Sequence, residues 1–243
     1  MRLRLHEFRP RLGPHEHRVV QPRPPLRHTS LTAPDPIGLL LGDHDGLSRL
    51  SGLFSFAARS RRTIVHVPLR DGVPPDEGCG ERVDLVLAHH TSGLRPGMWP
   101  ELRRRLRQET PLTVRTDEAR TARDAEAWRV RFGRADFRDE LRHATHARTL
   151  FLFGSRGVFA ETATSLAHAA GWGPHQKHVH AGHSALMAAL PALVQPPGGG
   201  HDVEVLICFK PHPPYAQFQR HIEQHFERDL KRDFQRTLNP PER

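Results

Sequence analysis

Residues 36–50 read PIGLLLGDHDGLSRL, and this stretch decides the fold that the sequence predicts. An apolar run at 37–41 predicts a buried strand, the glycines and aspartates after it predict a tight loop, and leucines at helical spacing then predict a helix. Residues 149–158, TLFLFGSRGV, repeat the same order and lead into an amphipathic segment that ends near Gly171. The sequence therefore contains two units of strand, glycine loop and helix.

Further periodic segments lie between and beyond these two units. The predicted strands are 63–69, 83–88, 111–115, 178–180 and 203–209, and the predicted helices are 96–108, 137–146 and 158–170, with a loop or single helical turn at 121–127. Strands and helices that alternate with short connections predict an α/β fold. We expect a Rossmann-like, mostly parallel sheet over residues 36–190. Ligands bind such sheets at the carboxyl ends of the strands.

The two ends of the chain differ from this central region. Residues 1–35 contain six prolines and scattered arginines without a sustained period, which predicts an irregular basic arm. Residues 191–243 predict a glycine- and proline-rich linker at 195–200, the strand at 203–209 and an amphipathic helix over about 215–238. The apolar stripe of that helix is typical of a docking face, either within the chain or against a protein partner.

The net charge of +9 comes mainly from arginine, and the largest excess of positive over negative charge lies near the N-terminus. Residues 1–30 hold seven arginines and two glutamates, whereas residues 31–209 keep an excess of only two positive charges. Together with 22 prolines and 19 glycines, the arginine content is typical of a GC-rich coding sequence. Aromatic residues that could stack on bases make up only 7%. We therefore do not expect nucleic acid to be the partner.

Composition also argues against two other classes of protein. Apolar runs fall short of the ~18–20 residues of a membrane-spanning helix, so no membrane span is expected. Cys79 and Cys208 are the two cysteines, too few for a disulfide framework or a four-cysteine metal site. The lack of an apolar signal-peptide core favours a cytoplasmic protein. The arginine-rich, acid-poor arm at 1–35 leaves a mitochondrial transit peptide as the alternative.

The two strand–loop–helix units resemble the pyridine-nucleotide module of ferredoxin–NADP reductase-like flavoenzymes over about residues 34–181. The resemblance implies a Rossmann-like site for NAD(P) or another nucleotide, and an oxidoreductase if the protein is an enzyme. Glycine after a strand lets backbone N–H groups approach a diphosphate at a helix N-terminus. The implied cofactor residues are Gly42, Gly46, Leu47 and Ser48 around the diphosphate, Gly154, Ser155 and Gly157 at the nicotinamide end, and Arg70 at an adenosine 2′-phosphate.

Several positions depart from that family's pattern. Asp43 stands in place of a glycine and Asp45 in place of a threonine, so two carboxylates lie in the first loop, and Phe153 replaces a cysteine. The only tyrosine, Tyr215, lies outside the module, so the flavin-binding strand motif is missing and flavin is not bound by this chain alone. The two glycine loops can also be interpreted as ordinary tight turns, and that alternative stays open.

Nineteen histidines support a second hypothesis, a histidine-centred metallohydrolase. On the strand predicted at 178–180, His178 and His180 would share one face, and His183 could join them to form a three-histidine zinc site. Further candidates are His221 with His225 on the C-terminal helix, and Cys208 with His89 or His90 as a thiol–imidazole pair. A third hypothesis is a basic, non-enzymatic binding protein that uses the N-terminal arm and the C-terminal helix.

Overall fold

The structure is a computed structural model that describes residues 1–70, 80–132, 134, 136–180, 183–191, 193–194 and 203–212. Its helices are α1 (His44–Ala57), α2 (Trp99–Arg104), α3 (Glu118–Arg131), α4 (Arg156–Trp172) and α5 (Lys177–His180). Its strands are β1 (Arg2–Phe8), β2 (Arg11–Leu12), β3 (His15–Glu16), β4 (Arg18–Pro22), β5 (Thr29–Leu31), β6 (Ile37–Gly42), β7 (Thr63–Val67), β8 (Asp84–His89), β9 (Thr110–Arg115), β10 (Leu141–His146), β11 (Thr149–Gly154), β12 (Ala185–Ala189), β13 (Leu193–Val194) and β14 (Glu204–Phe209).

The largest sheet has eight strands in the order β13-β10-β11-β8-β7-β4-β1-β9. The pairs β10–β13, β8–β11 and β4–β7 are parallel, and the other neighbouring pairs are antiparallel. A second sheet has the order β12-β14-β6-β5, in which β6 and β14 are parallel. The prediction of an α/β fold is confirmed, and the large sheet is mixed because antiparallel pairs separate its parallel ones.

Helices cover both faces of the large sheet. α1 and α4 pack on one face, where they form the main core with Val65, Val67 and other apolar strand residues. α2 covers the opposite face through Trp99 and Leu102, which belong to a second apolar cluster that includes Phe151. Side chains alternate between the two faces along a strand, so strands such as β4, β7 and β8 contribute to both layers.

α1 and α4 run antiparallel to each other. The Ser51 hydroxyl donates a hydrogen bond to the Ala163 carbonyl at 2.7 Å, and His44 Nδ1 lies 3.0 Å from the Ala170 carbonyl oxygen. The first turn of α1 therefore lies beside the last turn of α4. The first turn of α4 correspondingly lies near the C-terminus of α1, at the edge of the large sheet where β8 and β11 end.

The N-terminal segment belongs to the large sheet, so the prediction of an irregular arm at 1–35 is wrong. β1 pairs with β4 and β9, and β4 pairs with β7. Leu3, Leu5 and Val20 are buried in the main core. The apolar residues of β1 alternate with polar ones, which is the period of a half-buried strand. The prolines lie at or beyond the strand ends, so they do not interrupt the pairing.

Two internal predictions are also wrong. The segment 121–127, expected as a loop or one turn, lies within the 14-residue helix α3, which begins after an Asp117 cap and buries Thr121, Ala125 and Trp128 at helical spacing. The helix predicted at 137–146 is largely replaced by β10, which pairs with β11 in antiparallel register. The periodic signal is weak for a charged helix with a narrow apolar stripe, such as α3, and for a short polar strand, such as β10. Packing against neighbouring elements therefore determines which structure each segment adopts.

The C-terminal predictions divide between described and undescribed residues. The strand predicted at 203–209 is confirmed as β14. It lies between β6 and β12, and because both of these strands belong to the predicted 36–190 domain, β14 is part of a sheet of that domain. The linker at 195–200, the helix at 215–238, Cys79, His221 and His225 lie outside the described residues.

Candidate functional site

The first glycine loop, residues 42–48, is closed by its own side chains. Asp43 Oδ1 accepts a hydrogen bond from the Gly46 backbone N–H at 2.8 Å, and Asp43 is the N-cap of α1. Gly42, Gly46 and Leu47 are buried, and a Cβ on Gly46 would overlap the Thr29 hydroxyl oxygen. The Asp43 carboxylate thus occupies the anion position that the resemblance assigns to a diphosphate.

The second glycine loop, residues 154–157, is likewise tightly packed. Ser155 caps α4, and its Oγ accepts from the Gly157 N–H at 3.0 Å and the Val158 N–H at 3.5 Å. A Cβ on Gly154 would lie 2.8 Å from Val158 Cγ1, and a Cβ on Gly157 would lie 2.9 Å from Trp128 Cδ1. These glycines allow α4 to pack closely on β11 and α3, as expected for a tight turn.

The structure does not bring the predicted cofactor residues together. The first glycine loop lies beside the C-terminal end of α4 and the second lies at its N-terminus, about 20 Å away at 1.5 Å per residue. Ser48 lines a separate groove of about 370 Å³ between α1 and α4. Arg70 binds Asp84 on the sheet face covered by α2, whereas α1 and α4 lie on the other face.

Arg70 is part of a buried polar group that we call the Asp84 cluster, comprising His66, Arg70, Asp84 and Arg103. Asp84 is 1% exposed; its Oδ1 accepts from the Leu69 and Arg70 backbone N–H groups at 3.1 and 3.2 Å. Its Oδ2 lies 2.9 Å from Arg70 Nη2, and 3.5 Å from both His66 Nε2 and Arg103 Nη1.

Two opposing effects set the protonation of Asp84. Burial raises the pKa of this carboxyl, and the interactions with His66 and with the backbone and guanidinium of Arg70 lower it. The second effect is larger, so the pKa of Asp84 lies below its ordinary value. Asp84 is therefore a fully surrounded carboxylate that holds the ends of β7 and β8 and the helix α2 together.

An open cleft of about 620 Å³ lies where β4, β7 and α4 begin, and we call it the arginine cleft. Its arginines come from four parts of the chain: the start of β4, the α1–β7 connection, α3, and the first residue of α4. They are Arg18, Arg59, Arg61, Arg62, Arg120 and Arg156, and they line the cleft together with Ala58, Ser60 and Thr63.

Three of these arginines are held by carboxylates. Asp124 binds Arg156 through two hydrogen bonds of 2.9 and 2.8 Å, and it binds Arg59 Nη2 at 2.9 Å. Arg18 Nη2 lies 2.7 Å from the Glu7 carboxylate. Bidentate contact with both oxygens of a carboxylate fixes the plane of the Arg156 guanidinium group, so Arg156 presents its remaining N–H groups in defined directions.

The other three arginines, Arg61, Arg62 and Arg120, make no ion pair with a carboxylate in the part of the chain that the structure describes. All three are exposed. Arg59 Nε is buried without a hydrogen-bond partner among the described residues. Burial, and next the charge of Arg120, lower the pKa of Arg59, while Asp124 and Asp117 act in the opposite direction. The arginine cleft therefore holds more positive than negative charge.

His89, at the end of β8, lies close enough to Arg61 for their charges to interact. Burial, and next the charges of His90 and Arg61, lower the pKa of His89, while Asp139 raises it. His89 Nδ1 lies 2.7 Å from the Thr91 hydroxyl oxygen, and the Thr91 backbone N–H donates to the same nitrogen at 3.3 Å. The end of the sheet that carries the arginine cleft thus also carries an imidazole whose pKa lies below its ordinary value.

Sequence reasoning missed the arginine cleft. Its signal was the run Arg59-Ser60-Arg61-Arg62, four residues in the connection between a predicted helix and a predicted strand. Arginine is frequent throughout this sequence, so the run has little signal of its own, and only the fold brings this connection beside the second glycine loop, where Arg156 lies. Parallel strands β8 and β11 end at the edge where β7 begins, and this arrangement places both segments around one cleft.

The predicted zinc site does not have the expected backbone. Residues 178–180 lie in the helix α5, so the prediction of an edge strand is wrong, and positions two apart on a helix are rotated by about 200°. His183 is exposed. No group of three His, Cys, Asp or Glu residues in the described ranges could hold a metal ion. Cys208 is buried in β14 of the second sheet, whereas His89 and His90 follow β8 of the large sheet.

Two general findings complete the description. Within the residues that the structure describes, none of the helices is both long enough and apolar enough to cross a membrane. Comparison with protein-family models, with curated proteins and with solved structures finds no match for this chain.

Proposed function

We propose that this protein binds a phosphorylated small molecule in the arginine cleft. The observation that carries the proposal is the excess of guanidinium groups over carboxylates, among the described residues, in one concave site at the N-terminus of α4, just after β11 ends. Guanidinium groups match phosphate oxygens with paired N–H donors and stay charged at every physiological pH. The carboxyl ends of parallel strands are a common position for ligand sites.

The fixed arginines add to this argument. Asp124 holds Arg59 and Arg156 in place in the absence of ligand, so a phosphate group would meet two oriented guanidinium groups. Orientation before binding lowers the entropy lost when the complex forms. The positive end of the α4 dipole lies beside Arg156 and favours the same negative charge.

Nucleotides and NAD(P) belong to the proposed class of ligand. The resemblance implied that such a ligand lies across both glycine loops in a Rossmann-like site. In our proposal its phosphates contact the arginine cleft instead, because Asp43 and Ser155 already bond the helix N-terminal amides. A nicotinamide-dependent reductase activity would then use the edge that carries His89 and His90.

The test is calorimetric titration of the purified chain with ATP, NADPH and inorganic phosphate. We expect saturable binding that weakens as salt concentration rises, since the contacts are charged and exposed. The double variant Arg61→Gln/Arg62→Gln should weaken binding by about tenfold or more, the loss expected for charge-assisted hydrogen bonds.

A matched control separates local from general charge effects. Arg115→Gln/Arg142→Gln removes the same charge from two exposed strand residues outside the lining of the cleft, and it should leave affinity within about twofold. Equal weakening in both double variants would contradict a site at the arginine cleft. No binding of any of the three ligands would contradict the proposed function itself.

A further inference from the structure

The charge of the arginine cleft indicates how many phosphate groups its ligand carries. Six arginines line the cleft. Among the described residues, Glu7 pairs with Arg18, Asp124 pairs with Arg59 and Arg156, and the charge of Asp117 acts on Arg59 and Arg120. Counted over the described residues, the six guanidinium groups exceed these three carboxylates by three positive charges. A single phosphate would leave part of that excess uncompensated, and like charges close together destabilise the site.

The positions of the arginines in the cleft support the same conclusion. The unpaired cations stand on two elements, with Arg61 and Arg62 in the α1–β7 connection and Arg120 in α3. A ligand with several phosphates offers oxygens to both elements and to the fixed pair Arg59 and Arg156.

The chemical lining indicates what is recognised. The cleft presents guanidinium groups, the hydroxyl-bearing residues Ser60 and Thr63, and Ala58 as its apolar member. Guanidinium and hydroxyl groups donate hydrogen bonds to phosphate oxygens, and these contacts are the same whatever organic group the phosphates carry.

Resting on the proposed function, we propose that the ligand is an oligophosphate with at least three negative charges, such as a triphosphate group, bound through its phosphates and independently of any base. Arg59 and Arg156 bind one end of the phosphate chain in fixed orientation. Arg61, Arg62 and Arg120 close on the remaining phosphates.

The test compares phosphate, pyrophosphate, tripolyphosphate and ATP by calorimetric titration of the full chain at two salt concentrations. We expect affinity to rise by about tenfold with each added phosphate, in line with charge-assisted hydrogen bonds. ATP should bind within about threefold of tripolyphosphate, because both carry the same phosphate chain. The salt dependence should be steepest for the most charged ligands.

Variants locate the effect. Arg120→Gln should weaken tripolyphosphate by about tenfold and leave inorganic phosphate within about twofold, because Arg120 contacts only the extended ligand. Arg115→Gln/Arg142→Gln should change neither value. Near-ultraviolet circular dichroism of each variant verifies that the tertiary structure is retained.

Each remaining outcome decides the proposal. Equal affinities for phosphate and tripolyphosphate, or ATP binding far more tightly than tripolyphosphate, would overturn the oligophosphate inference and leave the proposed function standing. Affinity for single-stranded oligonucleotides that keeps rising with length would also overturn it, since the ligand would then be a nucleic-acid backbone. No binding of any phosphate compound would overturn the inference and the proposed function together.

Discussion

At each of its two opposite strand ends the large sheet carries a group of arginine and carboxylate side chains, and the two groups have different roles. In the Asp84 cluster one carboxylate is surrounded by donors, and both oxygens are bonded in a site that is almost fully buried. In the arginine cleft three of the arginines are exposed and have no carboxylate partner among the described residues. The comparison teaches that the exposure of unpaired arginines, more than the ratio of arginines to carboxylates, separates a structural cluster from a candidate binding site.

The largest effect on stability should come from removing the Asp84 carboxylate, which is the acceptor of the Asp84 cluster. Asp84→Asn leaves the largely buried guanidinium of Arg70 without its carboxylate and should lower the free energy of unfolding by about 3–5 kcal/mol. Urea denaturation followed by circular dichroism measures this change. Glu126→Gln is the control, because Glu126 pairs with Arg129 at the surface. That exposed pair should be worth under about 1 kcal/mol. Equal losses in the two variants would break the comparison.

The pH dependence of stability should isolate the same carboxylate. The folded pKa of Asp84 lies below its unfolded value of about 3.9, so its stabilisation is complete above that value and is lost as pH falls through the folded pKa. The difference in unfolding free energy between the native protein and Asp84→Asn should therefore be constant near neutral pH and shrink below about pH 4. A difference that stays constant down to pH 2 would contradict this assignment.

The first glycine loop is a second region in which a side chain of the protein, Asp43, already bonds a backbone donor. Gly46→Ala places a Cβ against the Thr29 hydroxyl and should destabilise the protein by about 1–3 kcal/mol, the usual cost of overpacking. Adding Thr29→Ala should recover part of the loss by making room. Phosphate-ligand affinity of both variants should equal that of the native protein, and a loss of affinity without unfolding would return the ligand to this loop.

The smallest effect on stability is expected in the arginine cleft. Arg61→Gln/Arg62→Gln removes exposed cations without partners among the described residues, and the free energy of unfolding should change by less than about 0.5 kcal/mol. Relief of repulsion between like charges should make any small change a stabilising one. A thermal melt without ligand measures it, and a large destabilisation would show that the cleft is held together by contacts of its own.

Local periodicity predicted the two strand–loop–helix units because β6, α1, β11 and α4 all carry strong apolar patterns. It failed where the local pattern is weak. β1 was not predicted because the surrounding sequence is rich in proline, and α3 was not predicted as a helix because it buries only Thr121, Ala125 and Trp128. Such elements are fixed by what they pack against, and that information is not local.

The candidate site was less predictable than the fold for a related reason. Arg18, Arg59, Arg120 and Arg156 meet only because the strand order places β4, β7, β8 and β11 side by side. The glycine loops, by contrast, are visible as motifs but serve close packing, as the distances from Gly154 and Gly157 to their neighbours require. The glycine motifs therefore predict the local backbone conformation. The exposed arginine donors without acceptors indicate where a ligand can bind.

The position of β14 has a consequence for how the chain folds. β14 pairs Glu204 with Ile37, and these residues are 167 apart in the chain. The second sheet therefore forms only when two segments that are distant in the sequence meet. During synthesis β6 is complete long before β14 exists, and until then one edge of β6 has backbone groups without strand partners. An open edge of apolar sequence is prone to pair with other chains. Folding of the second sheet should therefore be slow and late, and shortened chains that end before residue 203 should aggregate.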